Sequence, residues 1–248
     1  MSYSSIIYPK ASQLIRHTES VVDVHSKATP FRHFGIKPEI EENEEDGATV
    51  TFKFASLSKY ENGNALPFLV LQDQLTTALK LSYPYGVILQ SKEKSAVYPV
   101  VQFCHGGVDT KTRDEVSLIQ GYTSQIAPYK EVRQIEPEVD SIFSNHLSSF
   151  YIILGFKTSG TQALLDSWKD WTGARYIYIN FPEQLCLKKI TLYRRESTDD
   201  MNLFSFIVVV LCDGVDSKEK QRTLLDFVQR LRAERTSNFI SVYEEVIT

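Results

Sequence analysis

A surplus of basic residues is missing from this chain: 27 lysines and arginines face 31 aspartates and glutamates, giving a formal charge of −4 and a pI near 5.8. Without a positive field to meet phosphates, a dedicated nucleic-acid binder is not expected. Cysteine is scarce too. Cys104, Cys186 and Cys212 lie far apart, and Cys104 and Cys212 sit at the ends of apolar runs. That is the pattern of buried free thiols in a reducing compartment, not of a disulfide framework. No apolar run reaches the roughly 18 residues that span a bilayer, and residues 1–18 lack the apolar stretch of a secretory signal. A cytoplasmic location without membrane contact is therefore expected. The glycine-lysine phosphate loop is absent as well. What remains is an ordinary globular composition, 42% apolar and 23% charged, with 248 residues able to bury a substantial core in one large domain or two small ones.

Residues 11–27, with Leu14, Ile15, Val21, Val22 and Val24, predict an N-terminal helical arm that stops before Thr29-Pro30. Six acids within residues 39–46 predict a solvated linker, so 1–46 reads as arm plus linker and 47–248 as the core, with possible halves 47–130 and 149–248. In 48–57, Val50, Phe52 and Phe54 alternate with Thr49, Thr51 and Lys53, which predicts a strand with one buried face. Pro67 opens a helix carrying Phe68, Leu71, Leu75, Ala78 and Leu79 on one side, closed before Pro84. Strands follow at 87–90 and 96–103. Thr112 with Glu115 forms a capping box for a helix running to about Ala127, after which Pro128 and Pro137 bracket a connector. The second half predicts a strand at 149–156, a short helix with Ala163, Leu164, Leu165 and Trp168, and strands at 176–181 and 187–194. An unbroken apolar run at 204–212 then meets an Asp213-Gly214 turn and a helix bearing Leu224, Leu225, Phe227, Val228 and Leu231 on one face. Residues 239–247 fit either a helix or a strand.

Clusters that carry chemistry are few. In Cys104-His105-Gly106-Gly107 a thiol adjoins an imidazole, but strand neighbours face opposite ways, so the two form a nucleophile and base only if the backbone bends there. A buried thiol and a turn histidine is the expectation. His17, His25 and His33 with Asp23 offer metal donors, yet no close pair stands at helical spacing, and surface histidines are expected. Lys157-Thr158-Ser159-Gly160-Thr161 joins a strand to a helix, where backbone N–H groups can hold an anion; helix capping accounts for it. Lys188-Lys189 and Arg194-Arg195 charge both faces of one strand, as an exposed sheet edge would. Tyr3, Tyr8, Tyr60, Tyr83, Tyr85, Tyr98, Tyr122 and Tyr129 fall near predicted turns and ends, where they would serve as surface contact residues. No catalytic residue, metal ligand or cofactor site is assigned on these grounds.

An N-terminal helix before a first alternating strand at 47–54, the segment 98–111 with Gly106-Gly107-Val108-Asp109, and a late apolar strand before a long helix together resemble the polyhedrins of insect reoviruses, the cypoviruses. The resemblance spans most of the chain. It implies an α+β fold with an antiparallel β-sandwich-like core, flanking amphipathic helices and an arm that binds neighbouring subunits. The function implied is that of a viral occlusion-body matrix protein, not an enzyme, that self-assembles into a dense lattice around virus particles. Members of that family trap nucleotides between subunits, but no motif here matches such a site. The second reading is a small-molecule enzyme or binder built from two ferredoxin-like halves, similar to dimeric α/β-barrel monooxygenases and cyclases, with His105 or His146 as acid or base. The extra strand between Tyr176 and Arg194 departs from that plan.

Overall fold

Eight strands and five helices account for most of the residues that the computed structural model describes, namely 47–57, 68–82, 86–106, 122–137, 149–158, 162–196, 203–235 and 239–246. In chain order they are β1 (Thr49–Leu57), α1 (Phe68–Ser82), β2 (Val87–Ser91), β3 (Val100–His105), β4 (Tyr122–Ile135), β5 (Phe150–Phe156), α2 (Gln162–Asp166), α3 (Trp168–Trp171), α4 (Ala174–Asn180), β6 (Leu187–Arg195), β7 (Phe206–Cys212), α5 (Lys218–Glu234) and β8 (Phe239–Glu245). The N-terminal arm, the acidic linker and the Thr112–Glu115 box lie outside the described residues.

The first four strands stand in the order β4-β1-β3-β2 and the last four in the order β8-β5-β7-β6, with every neighbour antiparallel. Each half therefore has the strand order of a ferredoxin-like unit. The halves join where β2 pairs with β8 and β4 with β6, and the sheet closes into a barrel. This corrects the expected β-sandwich core. A sandwich keeps two sheets with free edges, whereas here β4 carries the sheet round the corner: residues 122–130 pair with β1 and 129–135 with β6, across a bulge between Glu131 and Arg133.

Three other expectations change. The predicted helix end at Tyr122–Ala127 is strand, because every residue of it pairs with β1, from Tyr122↔Leu57 to Ala127↔Phe52. Pro128 is tolerated inside β4 because its carbonyl faces the amide of Glu196, just beyond β6, so its missing N–H falls where that ladder ends. The alternating run Tyr176-Ile177-Tyr178-Ile179 forms α4 instead of a strand: Gly173, at φ 83°, precedes the helix, and Ala174 and Ile177, three apart, are buried on the barrel while Ile179 is exposed. With that strand gone, the second half fits the ferredoxin-like plan. The ambiguous segment after residue 238 is a strand, β8. Lys188, Lys189, Arg194 and Arg195 do not mark an edge, because β6 is paired on both sides.

Alternation sorts the apolar residues into three layers. Val50, Phe52, Phe54, Leu89, Val101, Ile153, Val209 and Tyr243 belong to the lumen. Leu71, Leu75 and Leu79 of α1 cover Ala55, Ile88 and Val100 outside the first half. Leu224, Phe227, Val228 and Leu231 of α5, together with Leu165, Trp168 and Ile177, cover Ile152, Leu154, Val208 and Val210 outside the second.

Candidate functional site at one end of the barrel

An eight-stranded barrel is just wide enough for side chains to fill it, and much of this one is filled by aromatic rings. The Phe204 ring lies 5.5 Å from both Phe54 and Phe239, and Tyr98 lies 5.3 Å from Phe239. Gly155 makes room for this plug: a Cβ there would stand 2.6 Å from the Phe204 ring. Two tyrosines tie the plug to the backbone. The hydroxyl of Tyr129 donates to the Phe204 carbonyl at 2.8 Å and that of Tyr243 to the Tyr98 carbonyl at 2.9 Å. The sequence placed Tyr98 and Tyr129 on the surface as contact residues; Tyr129 is instead fully buried and Tyr98 packs against the lumen.

Towards the opposite end, the inward positions turn polar. Two residues on from Phe103 stands His105, two on from Tyr129 is Glu131, two before Tyr193 is Thr191, and two on from Tyr243 is Glu245. Lys189 pairs across to Leu211. Tyr151 and Tyr193 project among them and are buried. The Tyr151 hydroxyl donates to Glu245 Oε2 at 2.9 Å. Lys189 Nζ lies 3.3 Å from Glu131 Oε1, and just past β7 Asp213 meets Lys188 at 3.7 Å and Ser149 Oγ at 3.4 Å. Phe103 bridges the two layers, with its ring 5.6 Å from Phe52, 6.0 Å from Tyr151 and 6.2 Å from His105.

Burial pushes the Tyr151 phenol well above its ordinary value, and the Glu245 and Asp213 charges push it further. Burial likewise raises Tyr193, with Glu131 adding to the effect and a hydrogen bond to Thr191 opposing it. Both phenols therefore remain protonated donors through the physiological range. The two lie near enough that the charge of one would raise the other.

Cys104 and His105 do not come together as a nucleophile and base. Cys104 faces out of the lumen towards Gly86, where a Cβ would stand 2.5 Å from its sulfur, and towards Lys53, while His105 is exposed at the rim. Burial raises the Cys104 thiol and lowers the Lys53 ammonium to about 8. His17, His25, His33, Asp23, His146 and Ser159-Gly160-Thr161 lie outside the described residues. Among the described residues no group of three or more His, Cys, Asp and Glu side chains could hold a metal ion, and no helix is long and apolar enough to cross a membrane. Tyr151, Tyr193, Glu131 and Glu245 were not singled out in the sequence. Tyr151 could have been: it is the one hydroxyl within the apolar run Phe150-Tyr151-Ile152-Ile153-Leu154.

A search of the curated proteins finds no match to this chain. Among solved structures, an anthrone oxidase-like protein is similar at 10% identity and a TM-score of 0.48, over 85% of this chain and 95% of its own. A variant of the chlorite dismutase from Candidatus Nitrospira defluvii is similar at 13% identity and a TM-score of 0.41, over 82% and 92%. A family model matches residues 84–245, more than half of the chain. That match and the closed barrel overturn the polyhedrin resemblance, and with it fall the occlusion-body matrix role, the virus-particle partner and the ground for denying enzymatic activity. The chain belongs to the family described as a domain of unknown function, DUF7153.

Proposed function

We propose that the chain is a small-molecule enzyme or binder of the fused α/β-barrel type, and that it holds an oxygen-bearing, largely apolar molecule at the tyrosine end of the barrel. The observation that carries this reading is the pair of buried phenols, Tyr151 on Glu245 and Tyr193 beside Glu131, above the Phe52 and Phe103 rings. Stability alone is a poor reason to bury two hydroxyls beside carboxylates, because each group loses water in the process. A ligand oxygen that gains negative charge, as in enol or phenol chemistry, would draw donors from both phenols. Glu245, released from Tyr151, is then placed to accept a proton, and His105 is the imidazole at the same rim.

The test uses 2-naphthol, whose fluorescence reports on hydrogen bonding of its hydroxyl. Saturable binding is expected, weakened about tenfold in Tyr151→Phe and in Glu245→Gln, the change set by one lost charge-assisted hydrogen bond. Equal binding by the wild type and both variants would show that the phenols hold no ligand.

A further inference from the structure

A cleft lies outside the barrel, between the last turn of α5, the start of β8 and the connection from β2 to β3. This cleft, of about 490 Å³, is within the range of small-molecule sites. Its apolar wall is Ala96, Val97, Phe239 and Ile240, and its charges are Arg232, Arg235 and Glu93.

Glu93 is already committed. Its Oε2 accepts from Arg232 Nη2 at 2.6 Å, from Ser241 Oγ at 2.7 Å and from the Val242 N–H at 3.1 Å. Burial pushes this carboxyl up, but the Arg232 and Ser241 hydrogen bonds, the Arg232 charge and the Val242 amide outweigh that and hold it below the usual value. The guanidiniums are fixed but not used up. Arg232 Nη2 also donates to the Ile240 carbonyl at 2.6 Å, and Arg235 donates through Nη1 to the Asp170 carbonyl at 3.2 Å while lying 5.7 Å from the centre of the Tyr176 ring. A guanidinium has five N–H groups, so among the described residues each arginine keeps donors beyond these. Two cations against one neutralised carboxylate leave the cleft with an excess positive charge, held in place before any ligand arrives.

We propose that this cleft binds a small carboxylate with an apolar body, the carboxylate on Arg235 and Arg232 and the body against Ala96 and Val97. The site is independent of the barrel-end reading. Preorganised guanidiniums favour planar carboxylates because two parallel N–H groups match two oxygens.

The experiment titrates the full chain with 4-fluorobenzoate, followed by the fluorine resonance, with 4-fluorobenzamide as the uncharged match. Benzoate is expected to bind at about millimolar Kd, at least about tenfold tighter than the amide, and to be lost in Arg235→Gln and in Ala96→Trp, which fills the cleft. Tyr151→Phe should leave this binding unchanged. Equal affinity for acid and amide, no binding of either, or binding that survives Ala96→Trp would each overturn the proposal. Loss in Tyr151→Phe alone would move the benzoate to the barrel end and overturn it equally.

Discussion

Lys53 is the residue whose environment most opposes its chemistry. It is 3% exposed on the outward side of β1, between the buried Thr51 and Ala55, and opposite Gln102 of β3. Burial lowers its ammonium from 10.5 to about 8, with the neighbouring Cys104 pulling the other way. The unfolded chain therefore holds more protons than the folded one between about pH 8 and 10.5, and stability must rise with pH across that window. Relative to Lys53→Met, the wild type is expected to gain on the order of 3 kcal/mol between pH 8 and 10.5, read from denaturant midpoints at each pH. A flat difference across that range would mean that the lysine is solvated. Tyr151, Tyr193 and Tyr243 act in the opposite sense higher up. Their phenols are raised above 10, so their contribution is intact below that pH and is lost as pH climbs towards the folded values. The stability of the wild type and of Lys53→Met should therefore both turn downward there, leaving the difference between them unchanged.

At the scale of elements, alternation and helical spacing located β1, α1, β5, β7 and α5 closely, but the alternation of β1 predicted one buried face, whereas Thr51, Lys53 and Ala55 on its polar side are buried as well. In α5, Leu224, Phe227, Val228 and Leu231 are all buried, as their spacing requires. The pattern misled in two places where a neighbour decided the outcome. Ile126 and Thr123 fit a helix by spacing, but the ladder with β1 holds them in β4; and the strand-like alternation of 176–180 yields to the docking of Ala174 and Ile177. The candidate site was still less legible. Glu131, Tyr151, Tyr193 and Glu245 come from four strands, each unremarkable alone, and only closure of the sheet brings them to one end. Gly155 is the element-scale counterpart, since β5 contributes an absence of side chain to the lumen. Gly155→Ala is expected to cost about 1–3 kcal/mol by forcing the Phe204 ring aside, whereas Gly106→Ala, with open space around it, should cost less and mainly through its positive φ. Thermal unfolding of the two variants side by side checks this. A neutral Gly155→Ala would mean that the plug is loosely packed.

At the scale of the molecule, the repeated strand order is the central fact. Neither half can complete its own core, because the lumen draws side chains from all eight strands and each four-stranded sheet ends in two edges that pair only with the other half. The seams are unequal. Between β2 and β8 the register runs only from Leu89↔Glu245 to Ser91↔Tyr243, reinforced by Lys92 on Glu244 at 2.6 Å and by Arg232 on Glu93, whereas β4 and β6 pair from Tyr129↔Arg195 to Ile135↔Ile190. Residues 47–137 made alone would expose β2 and β4 as open edges together with an aromatic lumen face, a surface prone to association. The expected outcome is that 47–137 and 149–246 each aggregate when made separately, and that the two co-expressed give one soluble complex of equal stoichiometry. Sedimentation and mass measurement read the result. A half that stayed folded and monomeric by itself would show that the barrel is two completed units in contact, and closure would then no longer be the source of the tyrosine-lined end.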